Sequence, residues 1–148
     1  MSTIENGYVC GMVKNKGEIM KLGIIICTHK STGKEIKNSA EMIAGPTSNI
    51  EVIEFFDHNS PEELTEKYKE AIERLNSDSI VFLVDLKGGT PFNCAARLKI
   101  ENPAYEVITG VNIPMVLSIG LAGETDNLDQ LINDTIAETK ESIERLAF

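Results

Sequence analysis

The chain has 148 residues and a formal net charge of −9, with 42% hydrophobic and 25% charged residues. That composition is typical of one globular domain with its own core. The acidic charge argues against nucleic acid and anionic lipid as partners and favours a basic protein partner. Three scattered cysteines without a CxxC pair argue against a disulfide framework or a zinc site. No apolar run approaches the roughly 20 residues that span a bilayer and no signal core is present, so the protein is predicted to be cytoplasmic.

The first 19 residues differ from the rest of the chain. They lack sustained hydrophobic periodicity and contain Asn6-Gly7, Gly11 and Gly17. The segment KGEIM at 16–20 can be encoded as AAA-GGA-GAA-ATT-ATG, which would read as a bacterial ribosome-binding site before a start codon. We therefore hypothesise that residues 1–19 are an upstream extension and that 20–148 form a single domain. The alternative is an ordinary N-terminal arm.

From Leu22 onward, apolar strands alternate with amphipathic helices. The run LGIIICT is continuous and rich in β-branched residues, which is typical of a strand buried on both faces. The predicted strands are residues 22–28, 50–56, 79–85 and 105–109. The predicted helices are residues 34–44, a segment that starts at Pro61 and carries an apolar stripe to Leu75, and residues 91–100, 114–121 and 126–146.

The helices carry signals of where they begin and which face they bury. Ser60, Pro61 and Glu63 have the spacing of an N-cap, a first helical residue and the closing residue of a capping box. The stripe predicted to face the core in that helix is Leu64, Tyr68, Ala71, Ile72 and Leu75. The stripe is Ile36, Ala40 and Ile43 in the first helix, and Leu128, Leu131, Ile132, Ile136, Ile143 and Leu146 in the last.

Strands that alternate with helices predict βαβ units, and therefore a mainly parallel sheet with helices on both faces. The predicted fold is a doubly wound, three-layer α/β/α sandwich. In such sheets ligands bind beyond the carboxyl ends of the strands, at the point where the strand order reverses. The residues that follow each strand are therefore the first candidates for chemistry.

A histidine and an aspartate follow two of these strands. His29 comes after the first strand, in Cys27-Thr28-His29-Lys30, and Asp85 ends the third. If the two strands are neighbours, both side chains face one crevice. A carboxylate beside an imidazole fixes its tautomer and stabilises its cation, which frees the other ring nitrogen to act as a nucleophile. The alternative from position alone is a surface histidine and a strand-end carboxylate with no joint role.

The turn after the third strand has the composition of an anion site. Gly88 and Gly89 allow a tight turn and close approach of the backbone to a ligand, and Thr90 and Pro91 suit the N-cap and first position of a helix. Free N–H groups at a helix N-terminus attract anions, although the turn is not a Walker loop. A plain helix start is the alternative. Beside the histidine and the aspartate, the turn favours a histidine that carries a phosphoryl group.

Other candidate residues carry weaker signals. His58 precedes a capped helix and is predicted to be a solvated loop residue. Cys27 lies in an apolar run and Cys94 in the first turn of a helix, and both are predicted to be structural. A group of lysines after the histidine is predicted to be a solvated face, with attraction of an acidic partner or a phosphate as the alternative. They are Lys30, Lys34 and Lys37.

Several motifs, in order, resemble the IIA component of the mannose-family sugar phosphotransferase systems. They are Thr28-His29 after an apolar strand, NSAEMI at 38–43, LVD at 83–85 followed by GGTPFN at 88–93, and TGVNIPM at 109–115. The similarity runs from about residue 22 to residue 117, which is most of the chain.

This resemblance implies a role for each matching residue. In the family, a histidine matching His29 accepts a phosphoryl group from the carrier HPr and passes it to a IIB component, which phosphorylates sugar entering through the membrane components IIC and IID. Asp85 matches the aspartate that bonds the other imidazole nitrogen, and Thr90, after Gly88 and Gly89, matches the turn that binds the phosphoryl group. No metal or other cofactor is implied. The family is usually a homodimer, often through a strand near the C-terminus, where this chain is predicted to be helical.

Two residues depart from the family pattern. The residue after the histidine is often glycine and is Lys30 here, and the residue before Gly-Gly is often aromatic and is Lys87 here. Both add positive charge near the expected phosphate. Charge complementarity mainly sets the rate and specificity of association, so these lysines are predicted to tune partner contacts.

Other functions stay open at this point. The nearest is the phosphoryl-donor subunit of a dihydroxyacetone kinase, which shares the histidine chemistry, although the GGTPFN and TGVNIP motifs favour sugar transport. A different class is a non-catalytic regulatory domain. A receiver domain phosphorylated on Asp85 lacks the acidic pair expected after the first strand. A metal hydrolase using His29, His58 and Asp85 lacks clustered ligands.

Overall fold

A computed structural model describes the backbone of residues 4–5 and 8–9 and the whole of residues 17–148. In chain order the elements are β1 (Ile4–Glu5), β2 (Tyr8–Val9), β3 (Met20–His29), α1 (Thr32–Ala44), β4 (Ile50–Phe55), α2 (Pro61–Leu75), β5 (Ser79–Val84), α3 (Thr90–Glu101), β6 (Tyr105–Thr109), α4 (Ile113–Ile119), β7 (Glu124–Thr125) and α5 (Leu128–Glu141). β1 and β2 pair antiparallel. The upstream-extension hypothesis falls largely outside the described residues and stays a prediction.

The central sheet has the strand order β4-β3-β5-β6, and these four strands are parallel. Ile26 of β3 lies opposite Val52 of β4 on one side and Leu83 of β5 on the other. β7 adds a short antiparallel pairing at the start of β3. The chain leaves β3 toward β4 and then crosses back to β5, so the strand order reverses between β3 and β5. That reversal is the place where doubly wound sheets bind ligands.

Helices cover both faces of the sheet, and each face has its own apolar core. Alternate residues of β3 point to opposite faces, because side chains on a strand alternate with a period of two. Ile25 therefore packs with α2 and α3, whereas Ile26 packs with α1 and α4. α5 adds partly buried apolar residues to the second core. All six residues of β5 are buried. The predicted three-layer α/β/α sandwich is therefore confirmed.

The N-terminus of α2 has the capping box that the sequence predicts. The Ser60 side chain accepts a hydrogen bond from the Glu63 N–H at 3.1 Å, and the Glu63 side chain accepts one from the Ser60 N–H at 3.4 Å. This capping box satisfies two N–H groups that the helix itself leaves without an acceptor. The predicted stripe of α2 faces the core, and Tyr68 is fully buried within it.

Two predictions about helices are wrong. The apolar spacing predicts that α5 continues to residue 146, but the helix ends at Glu141, and Ile143 and Leu146 are 78% and 76% exposed. Ile43, expected on the buried face of α1, is 66% exposed. Helical spacing fixes the direction in which a side chain points, but it does not tell whether a neighbour covers that part of the helix. The other predicted elements differ at their ends by two residues or fewer, which is ordinary fraying.

Among the described residues, no helix has both the length and the apolar character that crossing a membrane requires.

Candidate functional site

His29 and Asp85 lie together at the carboxyl ends of β3 and β5, where the strand order reverses. Asp85 Oδ2 accepts two hydrogen bonds from His29, one from the backbone N–H and one from Nδ1, each 2.9 Å long. The imidazole is 47% exposed and the carboxylate 28%. The ring is therefore held at one nitrogen while much of its surface faces solvent.

The charge of Asp85 determines which nitrogen of the imidazole carries the proton. Burial raises the pKa of Asp85, but hydrogen bonds from the His29 backbone and imidazole outweigh this effect and hold the pKa below its ordinary value of 3.8. An ionised carboxylate only accepts hydrogen bonds. The proton of a neutral His29 ring therefore sits on Nδ1, and Nε2 keeps its lone pair.

The glycine turn approaches the imidazole so closely that a side chain at Gly89 would press on the ring. A Cβ added to Gly89 would lie 3.0 Å from His29 Cε1 and 3.3 Å from the Leu86 carbonyl oxygen. Gly88 has a φ of +83°, in the left-handed region that favours glycine. The Asn93 side chain donates a hydrogen bond to the Gly88 carbonyl oxygen at 3.1 Å, which fixes the turn. Glycine is thus favoured at the two positions for different reasons, close contact with the ring at Gly89 and backbone conformation at Gly88.

The start of α3 differs by one residue from the prediction. Gly89 is the N-cap, so Thr90 is the first helical residue rather than the cap, and Pro91 is the second. Among the described residues, the N–H groups of Thr90 and Phe92 in this first turn have no acceptor, and the Thr90 hydroxyl forms no hydrogen bond. The positive end of the helix dipole and two free donors thus lie directly after the glycine that touches the imidazole.

Buried side chains fix the strand ends around the site. Thr28 is fully buried, and its hydroxyl oxygen accepts a hydrogen bond from the Gly33 N–H at 2.7 Å. The hydroxyl of buried Tyr68 donates to the Pro91 carbonyl oxygen in the first turn of α3 at 2.9 Å. The Phe55 ring lies edge-on to the imidazole, with centroids 5.9 Å apart. The sequence predicted that Tyr68 faces the core and placed Thr28 before His29, but it predicted no supporting contact for either, because nothing in the pattern distinguishes them from ordinary core residues.

Lys30 has an unusual backbone conformation directly after the histidine. Its φ is +56°, and its N–H donates to the Phe55 carbonyl oxygen at 2.7 Å. A non-glycine residue in the left-handed region costs about 1–2 kcal/mol, so glycine is the residue that this conformation favours. The conformation gives a physical reason for the glycine that is common at this place in the family pattern.

The remaining candidate residues are His58, the two described cysteines and Lys37. His58 is exposed and stacks on Phe56, with ring centroids 5.8 Å apart. Cys27 and Cys94 are both buried, and burial raises the pKa of Cys27 to about 12. Lys37 pairs with Glu41 on α1. Within residues 17–148, no three histidine, cysteine or acidic side chains are grouped so that they could hold a metal ion.

Known proteins are similar to this chain in sequence and fold. Residues 23–136 match the EIIA-man family, described as the PTS system fructose IIA component. The chain is 35% identical over 129 residues to the mannose-specific EIIAB component of Escherichia coli K12, covering 86% of this chain and 40% of that protein. It is 32% identical over 124 residues to the fructose-specific EIIA component of Bacillus subtilis 168, covering 83% and 85%. A solved EIIA structure from Streptococcus agalactiae has a TM-score of 0.76 at 28% identity, covering 84% and 96%.

The fold and the matching family together show that the chain is a component of the sugar phosphotransferase systems. Within that class, the chain belongs to the mannose family of EIIA components, as its motifs indicated. The chain spans about 40% of the length of the mannose-specific EIIAB relatives it matches.

Proposed function

We propose that the chain is a phosphoryl carrier in which His29 accepts a phosphoryl group from phosphorylated HPr and passes it to a IIB component during sugar uptake. The observation that carries this proposal is the 2.9 Å hydrogen bond from His29 Nδ1 to Asp85, because it leaves Nε2 with a lone pair beside the glycine turn. Membership of the EIIA family supports the same function.

The transfer is a displacement at phosphorus. The lone pair of His29 Nε2 attacks the phosphorus in line with the donor's P–N bond. That bond breaks as the new bond to Nε2 forms, and the donor imidazole keeps the electron pair. The phosphorylated ring retains its Nδ1 proton and becomes cationic, so the Asp85 carboxylate stabilises it. Delivery to IIB is the same step with His29 as the leaving group.

The turn formed by Gly88, Gly89 and Thr90 is proposed to hold the phosphoryl oxygens. The Gly89 N–H already donates to the Leu86 carbonyl oxygen at 3.1 Å, so the donors are the N–H groups that follow it. Phosphoryl transfer depends mainly on positioning and on stabilisation of negative charge. The free N–H groups in the first turn of α3 and the positive end of its dipole supply both, and Gly89 brings this turn against the ring. The Thr90 hydroxyl is a further donor at the first position of the helix.

The localisation, oligomeric state and partners of the carrier are proposed from its family. The carrier would act in the cytoplasm as a homodimer, with IIB as its acceptor and the membrane components IIC and IID as indirect partners. Its domain would comprise residues 20–148. The relatives carry the names of mannose-specific and fructose-specific components, so a sugar of this kind is the proposed substrate of the complete system.

An assay of the whole relay tests the proposal. The protein is incubated with phosphoenolpyruvate, enzyme I and HPr, and its intact mass is measured before and after a IIB component is added. We expect one acid-labile phosphoryl group, which then moves to IIB. No gain in mass would contradict the carrier role and favour a regulatory domain. Transfer to dihydroxyacetone kinase subunits but not to IIB would favour the kinase alternative.

A further inference from the structure

A buried tyrosine holds the turn that is proposed to bind the phosphoryl group. Tyr68 of α2 is fully buried, and its hydroxyl donates a hydrogen bond of 2.9 Å to the Pro91 carbonyl oxygen. Pro91 is the second residue of α3 and lies between Thr90 and Phe92, whose N–H groups have no acceptor among the described residues. The tyrosine therefore contacts the backbone of the turn between its two free donors.

The helix does not need this hydrogen bond to satisfy its own backbone. In an α-helix each carbonyl oxygen accepts from the N–H four residues further on, so the Pro91 oxygen has a donor within α3. The tyrosine hydroxyl adds a second bond, which fixes the start of α3 relative to α2. The hydroxyl keeps its proton for this bond, because burial raises the pKa of Tyr68 well above its ordinary value of 10.0.

The same tyrosine also contacts the strand that leads to Asp85. Its ring packs against Phe82 of β5, with centroids 4.9 Å apart, and Asp85 directly follows that strand. One buried side chain thus connects the two parts of the site, the strand that leads to Asp85 and the helix that carries Thr90. The spacing between the turn and the ring is tight, because a Cβ on Gly89 would lie 3.0 Å from the imidazole Cε1.

We propose that Tyr68 is a positioning residue for phosphoryl transfer: its hydroxyl fixes the first turn of α3 against His29, so that the Thr90 hydroxyl and the free N–H groups meet the transferring oxygens. This inference rests on the proposed carrier function and deepens it at the same site. The tyrosine acts through the turn, because its buried hydroxyl is bonded to the backbone of that turn. A misplacement of about 1 Å can lower the rate of a transfer roughly 100-fold, so a small shift of α3 is sufficient.

The test removes the hydroxyl alone. Tyr68→Phe keeps the ring and its packing on Phe82. The matched control, Ser79→Ala, removes another buried hydroxyl that donates to a carbonyl oxygen, that of Ala104, at the end of β5 away from Asp85. Transfer from phosphorylated HPr is timed by rapid quench at increasing donor concentration, and urea unfolding gives the folded fraction of each variant. We expect the maximal rate of Tyr68→Phe to fall roughly 5- to 20-fold at an unchanged half-saturating concentration, and that of the control to stay within about twofold of wild type.

A double-mutant cycle separates positioning from a general loss of stability. If Tyr68 acts through the donors of the turn, the slowing caused by Tyr68→Phe should be much smaller when Thr90→Ala is already present. Residues that act independently show additive effects, whereas residues that act through one another do not. The maximal rates of wild type, the two single variants and the double variant measure this coupling.

Several outcomes would overturn the proposal. An unchanged maximal rate in Tyr68→Phe would show that the turn keeps its place without the hydroxyl. Equal slowing by Ser79→Ala, or additive effects of the Tyr68 and Thr90 substitutions, would leave Tyr68 with a structural role. A change in the half-saturating concentration alone would assign it to docking of the donor. Failure of wild type to accept a phosphoryl group is a distinct result, since it would overturn the proposed carrier function and this inference with it.

Discussion

At the scale of single residues, different neighbours control the two nitrogens of the His29 ring. Asp85 Oδ2 accepts from Nδ1 and from the backbone N–H of the same histidine, so one carboxylate oxygen fixes both the ring and its strand end. Gly89 lies against Cε1 on the other side. Removing the carboxylate should therefore change charge and orientation, whereas adding a side chain at the turn should change orientation alone.

The first prediction concerns Asp85 and pH. Because the folded pKa of Asp85 is lowered from 3.8, its ionised form contributes stability above about pH 4, and that contribution is lost as pH falls through the lowered pKa. We expect Asp85→Asn to be less stable than wild type at pH 7, with the difference shrinking as the pH falls below 4. Urea unfolding of both proteins between pH 3 and 7, a range chosen to bracket the ordinary value, measures it. A constant difference across that range would show that these hydrogen bonds do not lower the pKa of Asp85.

The second prediction separates the two glycines of the turn. Gly89→Ala should leave the backbone conformation allowed but push the imidazole aside, because the new Cβ would lie 3.0 Å from Cε1. Gly88→Ala has open space around it but must adopt a φ of +83°, which costs about 1–2 kcal/mol. We expect the first variant to lose transfer rate, roughly 10-fold or more, with little loss of stability. The second should lose stability, and its rate per folded molecule should fall less. The opposite pattern would show that the contact with the ring is unimportant.

Residue-level features differ in how far the sequence reveals them. The pairing of His29 with Asp85 could be predicted, because both follow buried strands whose carboxyl ends meet at one edge of a parallel sheet. The left-handed Lys30 could not be predicted from the residue itself, since lysine carries no preference for positive φ. The position of Gly89 against the ring could not be predicted either, because it depends on how α3 packs.

At the scale of elements, α2 and α3 act together beneath the site. α2 carries Tyr68, whose hydroxyl donates to the Pro91 carbonyl oxygen in the first turn of α3. The Tyr68 ring also packs against Phe82 of β5, with centroids 4.9 Å apart. The position of the turn that faces His29 therefore depends partly on a helix that does not itself reach the imidazole.

The third prediction tests the start of α2. Ser60→Ala removes the side-chain oxygen that accepts from the Glu63 N–H, and loss of such a cap costs about 1 kcal/mol. We expect a corresponding fall in the free energy of unfolding measured in urea, with the rate of phosphoryl transfer within about twofold of wild type. Ser60→Asp, which keeps an acceptor at the cap, serves as the control. Equal destabilisation by both substitutions would contradict the capping account.

Elements were predictable where local signals and packing agree. The capping box and core stripe of α2 are present as predicted, because caps and periodicity both act within one helix. The end of α5 was mispredicted, since its apolar spacing continues through Ile143 and Leu146 while those side chains remain exposed. β7 has only two residues, too few to show a period, and its pairing with β3 is a tertiary contact.

At the scale of the whole molecule, the site exists only in the folded sheet. His29 and Asp85 are 56 residues apart in the chain and meet because β3 and β5 pair in parallel. The alternation of strands and helices predicted this fold, and the rule for doubly wound sheets predicted the edge where chemistry would lie. The sequence could not reveal the hollow of about 620 Å³ that residues of α1 and α4 line, because these residues come from distant parts of the chain.

The central claim is that His29 carries the phosphoryl group, and the chain's only other histidine, His58, supplies a matched control. The most direct measurement is tandem mass spectrometry of the protein after incubation with phosphoenolpyruvate, enzyme I and HPr, for wild type, His29→Ala and His58→Ala. We predict one phosphohistidine, on the peptide containing His29, in wild type and His58→Ala, and none in His29→Ala. A phosphoryl group retained by His29→Ala, or located on His58, would contradict the account.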